Sequence, residues 1–208
     1  YTVTLLRTLE ATTDLRFEIT VLPSFERAWR LAASGQSDMV LHSVLGQEAP
    51  DFKNAMIQSN WYLPVQPAVF YRDVAYLDRF LKAVDGHEDK DLTVGLPYGN
   101  IHYGLQNLKL PNSSFREATM DSLVKMLDRG RIDLIWCMKL NVSQALERNG
   151  ITGVSSHSYP RGTLIRLGAG FPKTEAGRAL KQKLDDAVSA VDLPALLPDV
   201  YRYSGADG

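Results

Sequence analysis

A chain of 208 residues, 45% apolar and 23% charged, is long enough to bury a core in one domain or in two small lobes. Its net charge of −1, with no basic run, argues against nucleic acid or an anionic membrane surface as the main partner. A lone cysteine, Cys137, excludes an internal disulfide and is neutral about compartment, and no apolar run reaches the ~18–20 residues that spanning a bilayer requires.

Residues 2–12 place Leu5, Leu6 and Leu9 on one helical face. Residues 16–22 (RFEITVL) alternate and are β-branched, which predicts a strand ended by Pro23. Ser24 can cap a helix over 25–34, and Gly35 suits the left-handed position after a helix. Residues 38–44 are a nearly unbroken apolar run, the pattern of a parallel strand covered on both faces. Residues 46–66, with Pro50 and Pro64, read as loop-rich. Then come a strand at 68–72, a helix at 76–84, a polar turn at 85–91 and a strand at 92–96. A helix near 101–108, a short strand at 114–119, a helix at 120–129, a strand at 132–138 and a helix at 141–149 follow. A strand at 162–168, a long amphipathic helix over 174–190 and one short helix in the tail complete the chain.

One pattern occurs twice. RAWRLAASGQSDMVLHS (27–43) and SLVKMLDRGRIDLIWCM (122–138) each run helix, glycine, two spacers, aspartate, apolar strand. Gly35 and Gly130 stand as far apart as Asp38 and Asp133, so two similar α/β lobes with a ligand-sized cleft are expected. The second half has a strand before its first helix, whereas the first half opens on the corresponding helix at Tyr1. A first strand is therefore expected to be absent from this sequence, and the natural N-terminus to be processed or left out; no signal peptide is visible.

Open parallel sheets bind ligands outside the carboxyl ends of their strands. The residues there are Ser24, Phe25 and Arg27; His42 and Ser43; Trp61 and Tyr62; Tyr98, Gly99, Asn100 and His102; Cys137 and Met138; Tyr159 and Arg161. This set is aromatic and hydrogen-bonding with few carboxylates, which suits a neutral or anionic polar solute. The turn Tyr98-Gly99-Asn100 can present backbone N–H groups at a helix N-terminus, a favourable place for an anion. Trp29 reads as helix–sheet packing before a ligand platform, and Trp61 and Tyr62 divide evenly between stacking on a solute and packing. Asp38 and Asp133 are expected to bond local backbone groups. No G-x-S-x-G, H-E-x-x-H or P-loop motif occurs, and the four histidines stand singly, so no catalytic residue, metal site or cofactor is predicted.

In their order, VLPSFERAWRLAASGQSDMVL (21–41), SNWYLP (59–64), LTVGLPYGN (92–100), MLDRGRIDLIW (126–136) and TLIRLGAGFPKTEAGRALKQKL (163–184) resemble extracellular solute-binding protein family 3, the type 2 periplasmic binding protein fold. The resemblance implies an α/β fold of two similar lobes with mostly parallel sheets and a two-segment hinge. Lobe 1 would take 1–65 and 161–208, and lobe 2 would take 66–160. It further implies a monomeric periplasmic protein that captures a small solute between the lobes for an ABC-type importer. The alternative is the ligand-sensing domain of a larger receptor or regulator; an enzyme on the same fold is the less favoured reading. The ligand-binding residues expected are Phe25, Arg27, His42, Ser43, Trp61, Tyr62, Tyr98, Gly99, Asn100 and Arg161. The chain departs from the family in one respect. Family members that bind amino acids carry Thr-x-x-Arg after the first G-x-x-D strand and an aspartate beyond the second. Here HSVLGQEAPDF (42–52) and Cys137-Met138-Lys139 stand in those places, which puts a standard amino-acid ligand in doubt and leaves Arg27, Arg161 or Arg166 to meet an anion.

Overall fold

A computed structural model describes residues 1–22, 25–44, 50–98, 100–159 and 164–204. The chain divides into two compact units, Tyr1–Val65 with Leu164–Gly208, and Gln66–Thr163.

Unit 1 is organised around one strand, β9 (Ile165–Pro172). Strand β1 (Val40–Val44) pairs antiparallel with one edge of it. Strands β2 (Met56–Gln58) and β3 (Leu63–Val65) pair antiparallel with the other. Ser59 bridges the break between β2 and β3: its N–H donates to the Ala169 carbonyl (2.9 Å) and its Oγ accepts from the Ala169 N–H (3.0 Å). Helix α1 (Thr2–Thr12) buries Leu5, Leu6 and Leu9, the face its spacing predicts. Helix α2 (Phe25–Ala33) ends at Gly35, whose φ of 75° needs a residue without Cβ. Trp29 packs edge-on against Phe52 (5.7 Å between centroids), beside buried Ala32, Val40 and Met56. It is a packing residue.

Four sequence expectations change in unit 1. Residues 16–22 form no strand: the segment alternates in exposure over 16–20 but has no ladder partner among the described residues. Alternation shows that a segment can pair, and only a neighbouring edge makes it a strand. Helix α3 (Pro50–Ala55), β2 and β3 occupy the stretch read as loop, because Pro50 suits a first helical turn and elements this short carry no periodic signal. The described pairings of β1 are antiparallel, since apolar runs do not encode strand direction. Ser24, proposed as a cap, lies outside the described residues. In the C-terminal region, α8 (Glu175–Ser189) is followed by two short helices, α9 (Leu193–Leu196) and α10 (Pro198–Arg202), rather than one.

Unit 2 is a three-layer sandwich. Its sheet runs β6-β5-β7-β4-β8, formed by β4 (Pro67–Tyr71), β5 (Val94–Pro97), β6 (Phe115–Ala118), β7 (Leu134–Met138) and β8 (Ser155–Ser158). β5 is parallel to β6 and β7, while β4 is antiparallel to β7 and β8. Strand alternation sorts the core into two faces. Val69, Val94, Leu96, Leu134 and Trp136 meet Leu77, Phe80 and Ala83 of α4 (Val74–Val84). Ala68, Phe70 and Ile135 meet α6 (Met120–Asp128) and α7 (Lys139–Arg148) through Leu123, Leu127, Val142 and Ala145. Helix α5 (Ile101–Asn107) connects β5 to β6. β8 (SSHS) went unpredicted because an exposed polar edge strand has no apolar alternation.

Candidate functional site

In unit 1 the carboxyl end of β1 carries Ser43, fully buried, whose Oγ accepts from Gln58 Nε2 of β2 at 2.9 Å. Both lie on the β9-centred sheet, β1 and β2 flanking the strand between them. Tyr62 is 41% exposed. The register that sets Pro64 opposite Arg166 brings the Arg166 guanidinium to 5.4 Å from the centroid of the Tyr62 ring. A cation over an exposed aromatic face, in reach of solvent, can meet an anionic or π-bearing solute. Arg27 is exposed on α2. The side chains of Phe25 and His42 lie outside the described ones.

Trp61 stands apart from these residues. Its indole Nε1 is enclosed without a hydrogen-bond partner, and its ring lines a cavity of about 440 Å³ with Asn60, Asp185, Val188, Asp192 and Tyr201. Asp185 fixes this corner, accepting from the Asn60 N–H (3.1 Å) and pairing with Lys181 (2.5 Å). Burial raises the Tyr201 phenol above its ordinary value, with Tyr62 and Asp192 adding to the shift.

In unit 2 the turn after β5 holds Tyr98, 57% exposed, and exposed Asn100. Asn100 Nδ2 donates to the carbonyls of Pro97 (3.2 Å) and Tyr98 (3.4 Å), so this side chain braces the turn. The first N–H of α5, from Ile101, donates to Glu117 Oε1 at 2.8 Å. A carboxylate of the chain itself thus sits where a helix dipole favours negative charge. Sequence reasoning did not single out Glu117. The parallel register Leu96↔Glu117 carries it to this turn, and only the pairing of β5 with β6 shows that. Gly99 and Arg161 lie outside the described residues, as does the side chain of His102. At the end of β7, burial pushes the Cys137 thiol up to about 12, which keeps it protonated and unreactive at neutral pH. Tyr159 packs edge-on against Phe80 (5.4 Å) and Trp136 (6.2 Å), and burial raises its phenol, Asp85 adding to the shift.

Asp133 acts at longer range than its sequence position implies. Its Oδ2 accepts from both the N–H and the hydroxyl of Thr93 at 2.7 Å, tying the entry of β7 to the entry of β5. Among the described residues no group of three or more His, Cys, Asp or Glu side chains could hold a metal ion, and no helix is long and apolar enough to cross a membrane.

No family model and no curated protein matches this chain. Solved structures do. The arginine-, lysine-, histidine-binding protein ArtJ of Geobacillus stearothermophilus is similar over 98% of this chain and 85% of its own, at 15% identity and a TM-score of 0.67. A double mutant of the VFT2 domain of Bordetella pertussis BvgS is similar over 97% and 82%, at 15% identity and 0.66. The ancestral amino acid-binding protein AncCDT-1, a precursor of cyclohexadienyl dehydratase, is similar over 96% and 82%, at 13% identity and 0.70. This chain has the fold of extracellular solute-binding protein family 3, the type 2 periplasmic binding protein fold.

Proposed function

We propose that this protein captures a small polar solute outside the cytoplasm and delivers it to an ABC-type importer, without chemistry of its own. The observation that carries this reading is the fold, shared across nearly the whole chain with proteins described as substrate-binding proteins of amino acid ABC transporters. Strand-end residues of both units, Ser43, Tyr62, Tyr98 and Asn100 among them, are the proposed contacts, with Arg27, Phe25, His42, Gly99 and Arg161 completing the set. Capture would bias an open–closed equilibrium by the difference in affinity for the two states. The proposed solute is neutral or anionic. Glu117 already supplies negative charge at the N-terminus of α5, so an anionic group would be met instead by Arg166 beside Tyr62.

A second reading, a sensory domain of a larger receptor, is favoured by the similarity to the BvgS domain. A thermal-shift screen against amino acids, organic acids, sugars, polyamines and phosphorylated metabolites tests solute capture. A solute at ~100 times its dissociation constant adds about 2.7 kcal/mol to a folded-state binder. A clear rise in melting temperature with one chemical class supports solute capture. A flat profile across the whole screen would count against it.

A further inference from the structure

The cavity of about 440 Å³ in unit 1 takes no part in the proposed capture of solute, since neither Tyr62 nor Arg166 lines it. It is made by short segments that are each held in place. Helix α8 ends at Ser189, and the Val191 N–H turns back to donate to the Val188 carbonyl (3.0 Å). Asp192 then caps α9, its Oδ1 accepting from the Ala195 N–H at 3.2 Å. Helix α10 brings Tyr201 to the same space and is closed by Ser204, whose Oγ donates to the Tyr201 carbonyl at 2.7 Å. The Trp61 carbonyl accepts from Ser59 Oγ at 2.8 Å, and Ser59 is itself tied to β9. Both aromatic residues are thus pinned through their backbone, so the space exists before anything enters it.

The lining combines three kinds of group. Trp61 and Tyr201 supply half-buried aromatic rings, Val188, Val191 and Leu193 supply apolar surface, and Asp185 and Asp192 supply carboxylates. No Lys, Arg or His stands among the described lining residues. The two carboxylates are not equivalent. Asp185 is buried and fully engaged: Oδ1 accepts from the Asn60 N–H and Oδ2 from Lys181, which also donates to Asn60 Oδ1 at 3.1 Å. Asp192 is exposed at the rim, and among the described residues its one bond is the α9 cap through Oδ1. Aromatic rings and an uncommitted carboxylate oxygen both attract a cation. An anion would meet two carboxylates and no positive side chain.

We propose that this cavity is a binding site for a small organic ammonium ion with an apolar body. The hydrocarbon part would lie against Val188, Val191 and Leu193, and the charged end against the Trp61 and Tyr201 rings, towards Asp192. The volume is in the range of small-molecule sites, roughly 300–1,000 Å³. The charge preference is the reverse of the one proposed for the strand-end solute, so the inference does not rest on which solute those residues capture.

Titration of the isotope-labelled 208-residue chain with phenethylammonium, read through the indole N–H signals of Trp29, Trp61 and Trp136, tests it. Trp61→Phe identifies the Trp61 signal. That signal should move saturably, with phenethylammonium bound at least about threefold more tightly than phenethyl alcohol and at least about tenfold more tightly than phenylacetate. Asp192→Asn retains a capping side chain and removes the charge, and should erase the preference for the amine over the alcohol. Ser189→Arg sets a cation at the exposed edge of the cavity and should abolish amine binding with the melting temperature kept. Tyr98→Ala, in unit 2, should leave amine binding unchanged. A Trp61 signal unmoved at millimolar amine would overturn the proposal, as would acid and amine binding equally well or a preference that survives Asp192→Asn. Amine binding lost in Tyr98→Ala but kept in Ser189→Arg would place the amine at the strand ends of unit 2 and also overturn it.

Discussion

At the scale of single residues, adjacent side chains take opposite roles. Tyr62 is exposed under Arg166, while Trp61 is turned into a cavity of its own unit. Tyr62→Ala should leave the melting temperature near that of the parent and weaken binding of a captured solute about two- to fivefold, the worth of an exposed cation–π partner. Trp61→Ala should instead cost about 2 kcal/mol of stability, since it removes half-buried packing; calorimetry and titration of both variants read the difference. Asp89 offers a pH test. Arg79 grips its carboxylate with two bonds of 2.7 Å, and the N–H groups of Asp91 and Leu92 donate to it at 3.1 Å. The guanidinium first, and these amides after it, hold the carboxyl below its ordinary value. A depressed carboxyl stabilises the fold fully above its unfolded value, about 3.9, and loses that contribution as pH falls through the folded value. The stability gap between the parent and Asp89→Asn should therefore be constant near neutrality and narrow below about pH 4 in urea titrations.

At the scale of elements, glycines set how closely helices approach sheets. A Cβ at Gly177, in the first turns of α8, would lie 2.1 Å from the Pro172 carbonyl oxygen at the end of β9. Alanine ordinarily favours a helix interior over glycine by roughly 0.5–1 kcal/mol. Here the clash is with backbone, so Gly177→Ala should destabilise by about 1–3 kcal/mol, measured by urea denaturation. Helices were legible in the sequence because one turn of burial, such as Leu5, Leu6 and Leu9, leaves a period in the chain itself. The turn glycines Gly35 and Gly130 were legible for an equally local reason. Segment 16–22 and β8 were not, in opposite senses: one alternates and finds no edge among the described residues, the other is polar and finds one. The site followed the same division. Strand ends were placed from sequence, but Gln58 on Ser43, Glu117 on α5 and Arg166 on Tyr62 are products of register, which no local pattern carries.

At the scale of the whole molecule, unit 2 is one continuous stretch and unit 1 is assembled from two. Every described ladder in unit 1 involves β9, which follows unit 2 in the chain. Unit 2 has its own five-stranded sheet with cores on both faces. A fragment of residues 66–159 should therefore fold cooperatively by itself, while residues 1–65 alone should show no strand signal by circular dichroism. A disordered 66–159 fragment would show that unit 2 depends on the rest of the chain.

The dependence on β9 also orders events in the cell. A ribosome emits residues 1–65 and then about a hundred more before Pro172 appears, a wait of roughly 5–20 s at ordinary rates of chain elongation. During that interval unit 2 can close on itself, whereas β1, β2 and β3 have no template to join. Residues 1–65 are thus made before unit 2 and mature after it, and they are the part of these 208 residues most in need of a holding chaperone during synthesis.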